Sequence, residues 1–213
     1  MSSRIAVIVP TYNGQRLIRR ALDSVASQTC PPSELIVIDD CSNDATVEVC
    51  QSWKEAHRPP FQVRVLQLDQ NSGSPASPIN YGVEATDAEF VTVLEQDDTF
   101  QPCKLELALA VFNDVPEIVF LTHSGSSDSD KLAASISQRN FHRDRGLNRE
   151  LTVSGFEIAK LPKDEATLMC LRHSMYPAGF PGIVFRRSAW QAAGKCSTQY
   201  KIVNDFAFLL SLS

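Results

Sequence analysis

Phe90-Val-Thr-Val-Leu-Glu-Gln-Asp-Asp98 is the stretch on which the reading of this chain turns. Its first five residues are apolar or β-branched without alternation. That pattern describes a short strand buried on both faces, as in a parallel sheet. Four polar residues follow, and three of them are carboxylates: Glu95, Asp97 and Asp98. Carboxylates packed so closely repel one another unless positive charge lies between them. A hard divalent cation, Mg²⁺ or Mn²⁺, supplies that charge and bridges carboxylates to a diphosphate. Taken alone, the same four residues also read as a solvated acidic turn, with Asp98 capping the next helix.

The flanking sequence repeats the theme of a buried strand ending in polar residues. Ile5-Ala-Val-Ile-Val-Pro10 is a strand stopped by proline, and Thr11-Tyr-Asn-Gly14 is a turn. Leu17, Ile18, Ala21, Leu22 and Val25 recur at helical spacing and predict a helix over 15–28, ended by Cys30-Pro-Pro32. Leu35-Ile-Val-Ile38 is a second strand, closing on Asp39-Asp40, and Ser42-Asn-Asp44 can cap a helix that runs to about Ala56. Val63–Leu68 predicts a third strand, 79–85 a helix, 104–112 a helix and Ile118–Leu121 a fifth strand. Gly182–Arg186 predicts another strand, after which Ser188 is expected to cap a helix through Ala193. Strand alternating with helix predicts an α/β fold: a Rossmann-like, mostly parallel sheet flanked by helices. The clusters after the first, second and fourth strands would share the carboxyl edge of that sheet, where open α/β sheets bind ligands.

Composition narrows the class of partner. The formal net charge is -5 and no basic stripe is present, which argues against nucleic acid. No apolar run reaches the ~20 residues that span a bilayer. The six cysteines contain no Cys-x-x-Cys pair and read as reduced thiols, so a cytoplasmic location is expected. Among polar candidates, Asp39 and Asp40 could accept hydrogen bonds from a base or ribose, or merely shape the loop before the next helix. Tyr12, in Pro10-Thr-Tyr-Asn13, could stack on or flank a base while backbone groups of that segment bond to the base edge, or the segment is a simple turn. Asn71 and Gly73 bring small residues where a ligand could approach the backbone.

These residues, in this order, resemble glycosyltransferase family 2, inverting enzymes of the GT-A fold. The resemblance rests on Val7-Ile-Val-Pro-Thr-Tyr-Asn13, Ala21-Leu-Asp-Ser-Val25 with Gln28-Thr29, and Glu34-Leu-Ile-Val-Ile-Asp-Asp-Cys-Ser-Asn-Asp-Ala-Thr46. It continues through Asn71/Gly73, Asn80/Gly82, Leu94-Glu-Gln-Asp-Asp98, Pro102 and Lys104-Leu105, and more weakly through Val184-Phe-Arg-Arg187, Gly194 and Asn204-Asp-Phe206. It implies that Pro10, Thr11, Tyr12, Asn13, Asp39, Asp40, Asn71, Gly73 and Asp97 hold a nucleotide sugar, with a UDP-sugar the first expectation. It implies further that Glu95, Asp97 and Asp98 hold Mg²⁺ or Mn²⁺, and that Asp205 is the general base. The implied acceptor is a glycan or lipid-linked glycan, which is compatible with peripheral contact at the inner face of a membrane.

Several positions depart from the family pattern. Glu95 stands where an Asp is usual, Asn204 where a Glu often precedes the base, and Ile79 where an Arg often precedes the second Asn. Arg186, Arg187 and Lys201 are candidate basic groups for the diphosphate. The expected organisation is one continuous domain, with a donor-binding half over 1–122 and an acceptor-side half over 123–213 that is truncated at its C-terminus. The alternative is a nucleotide-sugar-binding module without transfer activity. A nucleotidyltransferase ranks last, because Gly14 is isolated where a glycine-rich loop would be needed.

Overall fold

The structure is a computed structural model that describes residues 4–122, 149–153, 156–159 and 182–198. Six strands form the central sheet: β1 (Ile5–Thr11), β2 (Glu34–Asp39), β3 (Gln62–Gln67), β4 (Phe90–Val93), β5 (Phe120–Thr122) and β8 (Ile183–Arg186). Their order is β3-β2-β1-β4-β8-β5. The first four run parallel, whereas β8 is antiparallel to both β4 and β5. β6 (Arg149–Val153) and β7 (Phe156–Ala159) form a separate antiparallel pair. The chain steps outward from β1 to β2 to β3, then returns to lay β4 on the other side of β1. That reversal creates a crevice between β1 and β4 at the carboxyl edge.

Helices cover both faces. Residues Ile5, Val7 and Val9 of β1 pack with α1 (Ile18–Ala26), α2 (Thr46–His57) and α4 (Lys104–Asp114). Ile8, on the opposite face, packs with α3 (Ala76–Glu84) and α5 (Arg187–Ala192). This two-sided burial is why β1 and β2 read as continuous apolar runs. Gly82 lets α3 approach the sheet, since a Cβ there would lie 2.5 Å from Ile8 Cγ2. Asn80, in the same helix, exchanges two hydrogen bonds with the Cys196 backbone, at 2.8 and 2.9 Å.

Several boundaries differ from expectation because the caps differ. α3 begins at Ala76 rather than 79, because Pro75 already has helical φ and ψ and proline is tolerated at a helix start. α1 begins at Ile18, after a turn in which Gly14 O accepts from both Leu17 N and Ile18 N. Ser188 lies inside α5 and does not cap it; β8 runs straight into that helix through the extended Arg186. Asp98 does not cap α4, which starts at Lys104. β5 starts at Phe120, because the Ile118 carbonyl is held by the Arg186 side chain instead of a strand partner. Among the described residues no helix is long and apolar enough to cross a membrane.

Candidate functional site

The ends of β1, β2 and β4 meet at the carboxyl edge. Asp39 is completely buried there. Its Oδ1 accepts from Ser42 Oγ, while Oδ2 accepts from Ser42 N at 2.9 Å and Gln67 Nε2 at 3.0 Å. Three donors satisfy this carboxylate, so it shapes the loop after β2. Asp40 is also buried, and its two oxygens accept from Ser72 N and Ser72 Oγ, each at 2.9 Å. Asn71 Nδ2 donates to the Asp40 carbonyl at 3.0 Å, and Gly73 N donates to Asn71 Oδ1 at 2.9 Å. Gly73 has φ +69°, the left-handed region that glycine enters without a steric penalty. The 71–73 loop is thereby fastened to Asp40.

The turn after β1 is fastened in the same manner. Asn13 N donates to Ser42 Oγ at 2.8 Å, and Asn13 Oδ1 accepts from Asn43 N at 2.9 Å. Gly14 N donates to Thr46 Oγ1 at 2.8 Å. Asp44 accepts from Thr46 N, Thr46 Oγ1 and Gln15 N. Desolvation pulls its carboxyl upward, but those bonds together outweigh it and hold the group below the ordinary Asp value. Tyr12 remains 41% exposed, so its ring is available to a flat partner. Its backbone N–H donates to Gln96 Oε1 and its carbonyl accepts from Gln96 Nε2.

Glu95, Asp97 and Asp98 follow β4 directly across the crevice. One carboxylate oxygen from each lies within 4.8 Å of the others. Glu95 is half-buried, and Asp97 and Asp98 are exposed. The Asp98 carboxyl is raised above its usual value, first by desolvation and then by the neighbouring Asp97 charge. Oxygen ligands at about 2.1 Å from Mg²⁺ put neighbouring ligands about 3 to 4 Å apart. The three oxygens are near that spacing, and an all-carboxylate donor set suits a hard cation. Lys104, at the start of α4, is buried, with Nζ 4.2 Å from the centre of the Phe100 ring. Desolvation lowers its pKa to about 7.

Two candidate cations lie elsewhere. β8 is antiparallel to β4, and its register sets Arg186 opposite Phe90, at the amino edge. There Arg186 donates to Glu89, Ile118 O and Pro116 O, and Arg187 Nε donates to Val83 O. Neither is beside the acidic cluster, because an antiparallel strand reverses which residue reaches which edge. Asp205, Asn204 and Lys201 lie outside the described residues. Gln96, Ser42 and Ser72 are the parts of the site that sequence reasoning missed. Their place inside motifs was the only local signal.

A mostly parallel sheet with an exposed aromatic side chain and an acidic cluster across its switch point is the arrangement of open α/β proteins that bind ligands at the carboxyl edge. The sequence matches Glycosyl transferase family 2 over residues 6–188, and the chain belongs to that family. It is 35% identical over 113 residues to the poly(ribitol-phosphate) beta-N-acetylglucosaminyltransferase TarS of Staphylococcus aureus, covering 52% of this chain and 19% of TarS. The fold matches S. aureus TarS 1–349 in complex with UDP, with TM-score 0.69 and 23% identity, over 97% of this chain and 54% of that one. It also matches the mannosyltransferase PcManGT of Pyrobaculum calidifontis in complex with GDP-Man and Mn²⁺, with TM-score 0.65 and 20% identity, over 97% of this chain and 50% of that one. The chain thus spans only part of the length of these relatives. The structural likenesses establish a GT-A fold.

Proposed function

We propose that this chain binds a nucleoside diphosphate sugar, a UDP-sugar first, in the β1–β4 crevice. It then transfers the sugar to a hydroxyl of a glycan or lipid-linked glycan, on the cytoplasmic side of the cell. The observation that carries this reading is the meeting of Tyr12, Asp40 and the Glu95–Asp97–Asp98 cluster at one sheet edge. Tyr12 offers its ring to the base. Asp40, whose two oxygens each accept one bond from Ser72, keeps further lone pairs for a base or ribose donor. Glu95, Asp97 and Asp98 would hold Mg²⁺ or Mn²⁺, which when bound offsets the charge gathering on the diphosphate leaving group.

Transfer requires a base on the acceptor side, and the position of Asp205 in the family pattern supports it for that role. Its carboxylate would take the acceptor hydroxyl proton as that oxygen attacks the anomeric carbon. The carbon–oxygen bond to the diphosphate breaks, and its electron pair leaves on the phosphate oxygen. Attack from the face opposite the leaving group inverts the anomeric configuration.

The test is titration of UDP, GDP and dTDP in the presence of Mn²⁺, followed by donor hydrolysis assays with the corresponding sugars. Selective, metal-dependent binding of one nucleotide is expected; binding of none would overturn the donor site. Asp205→Asn should retain nucleotide affinity and lose transfer. A loss of affinity instead would remove Asp205 from the role of base.

A further inference from the structure

The β1–β4 ladder ends before the site begins. Paired register stops at Ile8 with Val93, and Leu94 N then donates to Ile8 O. Beyond that point the two backbones part to form the crevice. The Gln96 side chain spans the gap. Gln96 Oε1 accepts from Thr11 Oγ1 at 2.6 Å and from Tyr12 N at 3.0 Å, and Gln96 Nε2 donates to Tyr12 O at 3.2 Å. The partners settle the amide's orientation, since Tyr12 N–H can only donate. An amide presents an acceptor and a donor side by side, so it meets both backbone groups of one residue as a paired strand would. Neither a carboxylate nor an aliphatic side chain can do so.

We propose that Gln96 is a positioning residue that fixes the base-binding turn to the cation-binding cluster, so that base and diphosphate are gripped as one unit. This deepens the donor reading and rests on it. Gln96 lies between Glu95 and Asp97 in the chain, so any displacement of the acidic turn is transmitted through its amide to Tyr12. Gly14 supports the same arrangement from the other side. A methyl group there would collide with Gln96 Oε1 and lie 2.7 Å from Thr11 Oγ1. The amide occupies the volume that a side chain at position 14 would fill, so any larger residue there must displace it. Gln96 therefore holds Tyr12 where its ring can cover a base attached to a diphosphate at the cluster.

The discriminating measurement is the ratio of UDP affinity to inorganic pyrophosphate affinity, both with Mn²⁺, by calorimetry. Gln96→Met removes all three hydrogen bonds and should lower that ratio about tenfold, equivalent to about 1.4 kcal/mol. Gly14→Ala, which displaces the same amide without touching the cluster, should lower it similarly. Gln96→Glu keeps the acceptor and loses the donor, so a smaller fall of about threefold is expected. A purely structural role would reduce the folded fraction, scale both affinities together and leave the ratio unchanged. An unchanged ratio in Gln96→Met and Gly14→Ala overturns the proposal. Failure of the unaltered protein to bind any nucleoside diphosphate with Mn²⁺ overturns the donor reading itself, and the proposal with it.

Discussion

The two edges of the sheet are both stitched from distant parts of the chain, but with different chemistry. At the amino edge, Arg186 donates to Glu89 Oε1 at 2.6 Å, Pro116 O at 2.7 Å and Ile118 O at 2.9 Å. Its guanidinium also lies 4.9 Å from the Phe90 ring centre and 5.4 Å from that of Phe112. Charge there meets charge, and the cluster is closed. At the carboxyl edge neutral groups of Gln96, Asn13, Asn71, Ser42 and Ser72 join the loops, and the carboxylates Asp39, Asp40 and Asp44 accept from neutral donors only. Among the described residues no lysine or arginine pairs with Asp97 or Asp98. Amides and hydroxyls hold the loops in place, and the exposed carboxylates keep their charge for a ligand. The acid of the amino edge is thus matched by a cation, the structural acids of the carboxyl edge by neutral donors, and Asp97 and Asp98, among the described residues, by no lysine or arginine.

The largest effect expected from that contrast is at Asp97. Asp97→Asn removes a ligand charge from an exposed turn, so sugar transfer should fall about a thousandfold, reflecting several kcal/mol of leaving-group stabilisation. The melting temperature should hold or rise slightly, because like-charge repulsion is relieved. Undiminished turnover in a steady-state assay would show that the cluster is a solvated turn after all. Arg186→Ala reverses the pattern. It strands two carbonyls and uncovers two aromatic rings, at a cost of about 2–3 kcal/mol in urea denaturation. UDP affinity of the folded protein should stay within about twofold. A large change in affinity would mean that the two edges communicate and that the contrast is false.

The strands were legible because burial on both faces leaves almost nothing but apolar residues in β1, β2 and β4. The acidic cluster was legible because three carboxylates within four residues repel one another, and a cation between them relieves that repulsion. Long-range pairing was not legible. Gln96 looks like filler between Glu95 and Asp97, since spacing along the chain says nothing of an amide reaching back to Tyr12, 84 residues earlier. Arg186 and Arg187 read as candidate diphosphate groups because an apolar run does not reveal the direction of its strand. Once β8 is antiparallel, the same residues sit at the opposite edge. Asp39 and Asp40 read alike in sequence, but they differ in partners: Asp39 binds its own loop through Ser42, while Asp40 binds the 71–73 loop through Ser72. Which polar residue meets which is decided by strand order, and strand order is a property of the whole sheet.

The smallest expected effect lies beneath the carboxyl edge, where its buried charge reaches into the core. Cys50 of α2 is 1% exposed. Desolvation, with a further contribution from Asp39, pushes its thiol up to about 12 from an ordinary 9.0. Between those values the native state keeps a proton that the unfolded chain releases. The stabilisation is complete below pH 9 and is lost as pH rises toward 12. By pH 10 the loss amounts to about 1.4 kcal/mol relative to pH 8. Cys50→Ala should be less stable than the unaltered protein at pH 8, because it leaves a small cavity. The gap should narrow by about that amount at pH 10 in paired urea titrations, since other alkaline titrations are common to both proteins. In an Asp39→Asn background the narrowing at pH 10 should be almost the same, because desolvation, the larger cause, by itself keeps the native thiol protonated at that pH. A clearly smaller narrowing there would mean that the Asp39 charge, and not burial, carries most of the shift.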